Sequence, residues 1–267
     1  MSQSGGQWQD LSLRLASGLV MAVIGMAALW AGGIFWLGLV LLIVAVIVWE
    51  AARMLAPETS QAKLVQIAGA AAIGVGLAVH LPPIYFLPVL AASVMVGLSL
   101  IATNKPLFAG LTVVILLAAV GLYVQLALFG LVWVAWLIGV VAITDIAGYF
   151  AGRAFGGPKF WPAISPKKTW SGTIAGWLGA AAFGVVFWVQ TPAGFDVVLY
   201  SIILSFASQM GDIAESWIKR STGVKDSSAL IPGHGGVWDR FDGMLGAALV
   251  LLLIEQVTDF PPVTAVV

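Results

Sequence analysis

Between positions 212 and 242 the chain gathers Asp212, Glu215, Lys219, Arg220, Lys225, Asp226, Asp239, Arg240 and Asp242, with His234 and the glycines Gly233, Gly235 and Gly236 among them. Only 9% of the sequence is charged, so this is a marked concentration. Lys and Arg can oppose phosphate oxygens, and glycine lets backbone N–H groups approach those oxygens closely. Carboxylates at two helix ends, with room for water and phosphate, suit Mg²⁺ better than an all-protein cage would. The chemistry open to such a set is the binding and transfer of phosphate groups. Taken one residue at a time, a solvated loop with snorkelling charges is the competing reading; the clustering argues for a site. His234 could bond phosphate or shape a turn.

Two further constellations flank this one. Ser201, Ser205, Ser208, Asp212, Glu215 and Lys219 follow one another in steps of four and three, which is one face of a helix. A packed polar seam, with Lys219 or Arg220 neutralising Asp212 and Glu215, is the alternative to a reactive face. Upstream, Asp145 lies in an apolar run, and Arg153, Lys159, Lys167 and Lys168 follow it without any intervening acid. Such a basic loop reads as a topology signal or an anionic-lipid contact, with a substrate clamp as the alternative. Gly148 and Gly152, and Gly172 and Gly176, have the spacing that lets helices pack closely. Glu50 and Arg53, one turn apart at a helix end, read as an ion pair. No Walker A sequence and no HExxH occur.

The elements that carry these groups must lie in a membrane. Hydrophobic residues make up 61% of the 267 positions and the mean hydropathy is +1.04, too oily for a water-soluble surface. Uncharged runs of about 20 residues recur, the length of helix that crosses the bilayer core, and they lack the alternation of barrel strands. The expected fold is therefore all-α, a polytopic bundle of about nine spans: 11–30, 34–53, 64–80, 84–102, 107–127, 130–151, 171–190, 196–218 and 242–258. Asp10 and Arg14 make a poor basic region for a cleaved leader, so the first run is expected to be retained. Lys and Arg occur near the start and in every second connection, which places the N-terminus in the cytoplasm. Eight of the twelve Lys and Arg residues lie from Arg153 to Arg240, so 1–140 reads as scaffold and 141–260 as the catalytic half of one membrane domain. Zero net charge gives no reason to expect nucleic acid, and the absence of cysteine excludes thiolate chemistry.

Ser216-x-Ile218-Lys219-Arg220, then Lys225-Asp226, then Ile231-Pro232-x-His234-Gly235-Gly236-Val237-x-Asp239-Arg240-Phe241-Asp242 resembles the signature of the phosphatidate cytidylyltransferases, the CDP-diacylglycerol synthases. Looser similarity includes Gly211-Asp212-x-x-Glu215 and Ser165-Pro166-Lys167-Lys168-Thr169. The resemblance implies that CTP and phosphatidate give CDP-diacylglycerol and pyrophosphate. A phosphomonoester has a second pKa of about 6, so it arrives ionised and needs no strong base; positioning and charge neutralisation remain for the protein.

On that resemblance Asp212 and Asp239 are expected to ligate Mg²⁺, with Mn²⁺ as a substitute and more than one cation allowed. Lys219, Arg220, Lys225 and Arg240 join them in the catalytic set, facing CTP phosphates. Lys167, Lys168, Ser165, Ser216, His234, Gly235 and Gly236 are the expected substrate-binding residues, and Asp145, Glu215 and Asp242 supporting ones. The expected partners are CTP, phosphatidate in the bilayer and membrane lipids, with a homodimer as a candidate assembly. The expected location is a bacterial inner membrane with the site facing the cytoplasm. Ile146 and Ser171 depart from the family pattern, which leaves the stretch around Asp145 less securely assigned. A CTP-dependent lipid kinase and a cation-coupled transporter are the rival readings.

Overall fold

The structure, a computed structural model, describes residues 4–261. Among them nine α-helices follow in order: α1 (Ser4–Ala31), α2 (Gly33–Leu55), α3 (Gln61–Ala78), α4 (Phe86–Leu100), α5 (Lys105–Val124), α6 (Leu131–Phe155), α7 (Trp170–Gln190), α8 (Asp196–Ser221) and α9 (Trp238–Val257). Each coincides with one expected span. Seven segments are long and apolar enough to cross a membrane by length and composition, and these comprise α2 to α8. The expectation of nine spans is thus met by nine helices but by only seven such segments among the described residues. α9 falls short because Asp239, Arg240, Asp242 and Glu255 dilute its apolar run. The chain is an integral membrane protein.

The helices form two compact units, Met1–Leu116 with Thr222–Phe241, and Leu117–Ser221 with Asp242–Val267. In the first, α2 presents a buried stripe of Val40, Val44, Ile47, Val48, Ala51 and Leu55, and packs on α3, which packs in turn on α4. The last carbonyls of a helix have no partner within it. At the end of α2 the Leu55 carbonyl instead accepts from Asn104 Nδ2 (2.6 Å) and Thr103 Oγ1 (3.1 Å).

In the second unit α7 packs on both α6 and α8, which also meet each other. The weakest expected boundary, near Phe129, proves to be a π turn over Gln125–Phe129 that ends at Gly130; its φ of 87° is costly for any residue with a Cβ. The basic loop after α6 folds as a short antiparallel hairpin, β1 (Lys159–Trp161) and β2 (Ser165–Thr169). Thr169 then caps α7, its Oγ1 accepting from the Gly172 N–H at 3.2 Å. The serine face of α8 points inward: Trp136 Nε1 donates to Ser201 Oγ (3.0 Å) and Thr144 Oγ1 to Ser205 Oγ (2.8 Å), bonds that lipid could not replace.

The small-residue spacing has the packing role expected of it. A Cβ on Gly172 would lie 2.6 Å from the Gly148 carbonyl oxygen, so α6 and α7 would have to separate. Gly172→Ala should destabilise the protein by about 1–3 kcal/mol, the usual effect of overpacking. Thermal unfolding in detergent measures this, with Gly110→Ala as the control because nothing lies within 4 Å of its Cβ position. An unchanged midpoint for Gly172→Ala would remove the packing argument.

Candidate active site

Three groups of polar side chains can be built from these elements. In the second unit, a cavity of about 440 Å³ opens between α6, β2, α7 and α8. α6 contributes Asp145, Tyr149 and Arg153, β2 contributes Lys167 and Lys168, and α8 contributes Gln209 and Asp212. Small residues make the hollow possible: Gly148, Gly152 and Gly172 line it and offer no side chain to fill it. Its walls combine three cations with two carboxylates, and Tyr149 OH accepts a hydrogen bond from Arg153 (2.9 Å).

Lys168 reaches across to α8. Its ammonium meets Asp212 Oδ2 at 2.6 Å and donates to the Gln209 carbonyl at 3.3 Å. Both partners of this ion pair are partly open to solvent, so its strength is moderated by water. Gln209, which the sequence reading overlooked, ties α8 to α7 by donating to the Thr173 carbonyl at 3.2 Å. Its signal was an amide in an apolar run between Ser208 and Asp212.

The second group continues from Asp212. One oxygen each from Asp212, Glu215 and Asp242 lie within 4.8 Å of one another. Glycines create this approach. A Cβ on Gly211 would run into the Asp242 carbonyl, one on Gly246 into the Ala207 carbonyl, and one on Gly243 would come within 2.6 Å of Ser208 Oγ. α8 and the second-unit part of α9 therefore pack backbone to backbone, and their carboxylates converge. Glu215 is almost fully buried and pairs with Lys219 at 2.5 Å, while Ser216 Oγ donates to Asp212 Oδ1 at 3.3 Å. The seam reading held that Lys219 or Arg220 would neutralise both acids; Lys219 takes Glu215, and Lys168 takes Asp212. Three clustered carboxylates repel unless protons or cations intervene, and two hard oxygen donors with a third beside them form a donor set that fits a divalent cation.

The third group belongs to the first unit. Lys225, Asp226, Ser228, His234, Gly235 and Arg240 line a pocket of about 570 Å³ in the loop between α8 and α9. His234 Nδ1 lies 2.8 Å from Ser17 Oγ on α1. Asp239 Oδ2 accepts from the Ser227 N–H (2.9 Å), the Ser227 hydroxyl (2.9 Å) and the Gly236 N–H (2.8 Å). This oxygen holds its own loop. Glu50 does not pair with Arg53 as expected: its carboxylate accepts from the loop, and Arg53 stacks on the Trp49 ring at 5.3 Å. Arg220 is exposed at the end of α8, and Ser165 begins β2, paired in register with Trp161.

The two departures from the family pattern also find places. Ile146 is 57% exposed and is not among the cavity residues. Ser171 Oγ donates to the Gly156 carbonyl at 2.5 Å, holding the start of α7 to the end of α6.

A phosphatidate cytidylyltransferase of Brucella suis biovar 1 (strain 1330) is 49% identical over 141 residues, 52% of this chain and 52% of that protein. One of Haemophilus influenzae is 44% identical over 134 residues, 48% and 43% of the two chains. One of Helicobacter pylori (strain J99) is 36% identical over 179 residues, 65% of this chain and 67% of that protein. The matched stretch thus spans about half the length of the Brucella relative and somewhat less of the Haemophilus one. The family model described as "Cytidylyltransferase family" matches residues 12–257, a range that takes in all three groups of side chains. With nearly its whole length matched, cavity, carboxylate cluster and glycine loop included, the chain belongs to the cytidylyltransferase family.

Proposed function

We propose that the protein transfers the cytidylyl group of CTP to phosphatidate, forming CDP-diacylglycerol and releasing pyrophosphate. The observation that carries this reading is the second-unit cavity, where Arg153, Lys167 and Lys168 stand over Asp145 and Asp212 on helices that cross the membrane. A lipid phosphate must be bound by cations at the membrane border, and this cavity offers them. Lys167 and Lys168 would hold phosphatidate or the departing pyrophosphate. Lys219, Arg220, Lys225 and Arg240 would oppose the phosphates of CTP, with His234, Gly235 and Gly236 shaping the loop. Ser216 would fix Asp212, and Ser165 the base of β2.

Asp212 and Asp242, with Glu215 behind them, would hold Mg²⁺ or Mn²⁺. When bound, such an ion orients phosphate oxygens and neutralises charge as pyrophosphate leaves. Asp239 keeps a proposed role through its hold on the glycine loop. The attacking phosphate oxygen of phosphatidate is already ionised near neutral pH, so no residue need remove its proton. The new bond joins that oxygen to the α-phosphorus of CTP, and the bond broken is the one to the bridging oxygen of pyrophosphate.

The test is turnover by purified protein with CTP radiolabelled at the α-phosphorus. Label should pass to the lipid, and pyrophosphate should appear in equal amount. Release of labelled CDP with unlabelled phospholipid would instead establish a CTP-dependent lipid kinase.

The proposed setting is a bacterial inner membrane with the site on the cytoplasmic side. The chain has no cysteine, so single cysteines at positions 163, 193 and 228 can be labelled cleanly. Positions 163 and 228 should react from the cytoplasm, and 193 only from outside. Labelling of 163 or 228 from outside would overturn this orientation.

A further inference from the structure

Glu50 is an acid on α2, far in sequence from every other group assigned above, and it is fully buried, at 0% exposure. Its carboxylate takes four hydrogen bonds, none from its own helix. Oε1 accepts from the Ser228 hydroxyl (2.5 Å) and the Val237 N–H (2.9 Å). Oε2 accepts from the Trp238 N–H (2.8 Å) and the Ser227 hydroxyl (3.2 Å). Val237 and Trp238 stand at the start of α9, where N–H groups have no helical acceptor and where a negative charge meets the positive end of the helix dipole. A buried carboxylate is tolerable because its oxygens are matched in this way.

The same carboxylate explains a glycine of the signature. A Cβ on Gly236 would collide with both Glu50 and Ser227, so a side chain there would push the loop off its anchor. Ser227 adds a second tie: its hydroxyl also lies 2.9 Å from Asp239 Oδ2, and it has a single hydrogen to share between the two acids. Glu50 therefore grips the loop at both ends, at Ser227 and Ser228 and again at Val237 and Trp238. Between the grips lie His234 and Gly235, which wall the 570 Å³ pocket together with Lys225, Ser228 and Arg240.

We propose that Glu50 is a positioning residue: by fastening both ends of the 227–238 loop to α2, it sets the spacing of Lys225, His234 and Arg240 for the phosphates of a nucleoside triphosphate. The identity of that ligand rests on the function proposed above; the anchoring does not.

The experiment uses the full chain in lipid nanodiscs, with deuterium labelling of the Val237 and Trp238 amides, which donate to Glu50, as the reporter of loop anchoring. Glu50→Gln keeps the shape but places an NH₂ group where two donors already point. Glu50→Asp keeps the charge and withdraws it by one methylene. In Glu50→Gln, reporter labelling should quicken about tenfold or more, and KM for CTP should rise about tenfold while kcat falls less than about threefold, as expected when ground-state binding geometry is lost. Glu50→Asp should lie between the wild type and Glu50→Gln on both measures. A purely structural acid would lower yield or thermal midpoint and leave KM of the folded fraction unchanged.

Labelling within about twofold of the wild type overturns the anchoring, and a freed loop with unchanged KM for CTP overturns the positioning role. If Glu50→Gln does not fold, Ser228→Ala removes one donor to the same carboxylate; smaller rises in labelling and KM support the proposal, and unchanged values overturn it. Should the wild type fail to turn over CTP, the proposed reaction fails, and the labelling contrast still decides whether Glu50 anchors the loop.

Discussion

Replacing Asp212 by Asn is expected to leave a normally inserted protein whose Mg²⁺-dependent turnover is roughly a thousandfold lower, about 4 kcal/mol in the activation barrier. Asp242→Asn should fall nearly as far. Asn matches the volume of Asp and removes only the charge, so the close packing of α8 on α9 through Gly211, Gly243 and Gly246 would persist. What disappears is one anionic oxygen from a group that holds three within 4.8 Å. Loss of one such donor weakens cation affinity, so part of the activity should return at high Mg²⁺ or with Mn²⁺. The measurement is initial rate against Mg²⁺ concentration at saturating CTP. A variant with wild-type kcat and unchanged Mg²⁺ dependence would show that its aspartate serves packing alone.

Lys168→Ala should act differently, because Lys168 faces the cavity and Asp212 at once. Loss of a charge-assisted bond to substrate phosphate predicts roughly ten- to a hundredfold lower kcat/KM, carried mainly by a higher KM for phosphatidate. Lys168→Arg should recover part of this, since the charge remains while the guanidinium is too broad to reproduce a 2.6 Å contact to one carboxylate oxygen. Lys167→Ala should show a similar but separate effect, as Lys167 lines the same cavity. The contrast with Asp212→Asn, where kcat falls, divides substrate binding from the chemical step. Wild-type kinetics in a correctly inserted Lys168→Ala protein would return the hairpin's charges to membrane topology and anionic lipid.

The helices were legible because the bilayer simplifies the problem: an apolar run of the right length has few other fates, and Gly32, Pro82, Pro106 and Gly130 punctuate the runs. The site was legible in part. The inward face of α8 followed from spacing alone, since period and burial are linked on a helix. The hairpin was not, because its pairing joins Lys159 with Thr169 and Trp161 with Ser165 without the alternation that marks a strand. Glu50 was read with Arg53 because sequence shows near neighbours, whereas its actual partners lie 177 to 188 residues away. An acid in an otherwise apolar stretch nevertheless signals that some distant partner must exist. Asp212 and Asp239 are read together from their places at two helix ends, whereas the closeness of Asp242 to Asp212 depends on which residues lack a Cβ where α8 and α9 cross.

That long separation bears on how the chain is made. At about 5–20 residues per second, Ser227 leaves the ribosome roughly 9–35 s after Glu50, which precedes it by 177 positions. Through that interval α2, α3 and α4 can already be assembled while the carboxylate lacks the serines and N–H groups that later surround it. Until the glycine loop arrives, water at the end of α2, or a proton on the acid, has to stand in for those donors. The order of synthesis thus makes this loop segment the last piece of the first unit to lock, and a ribosome stalled before Ser227 would hold a chain with α1 to α8 already made and its acid still without those donors.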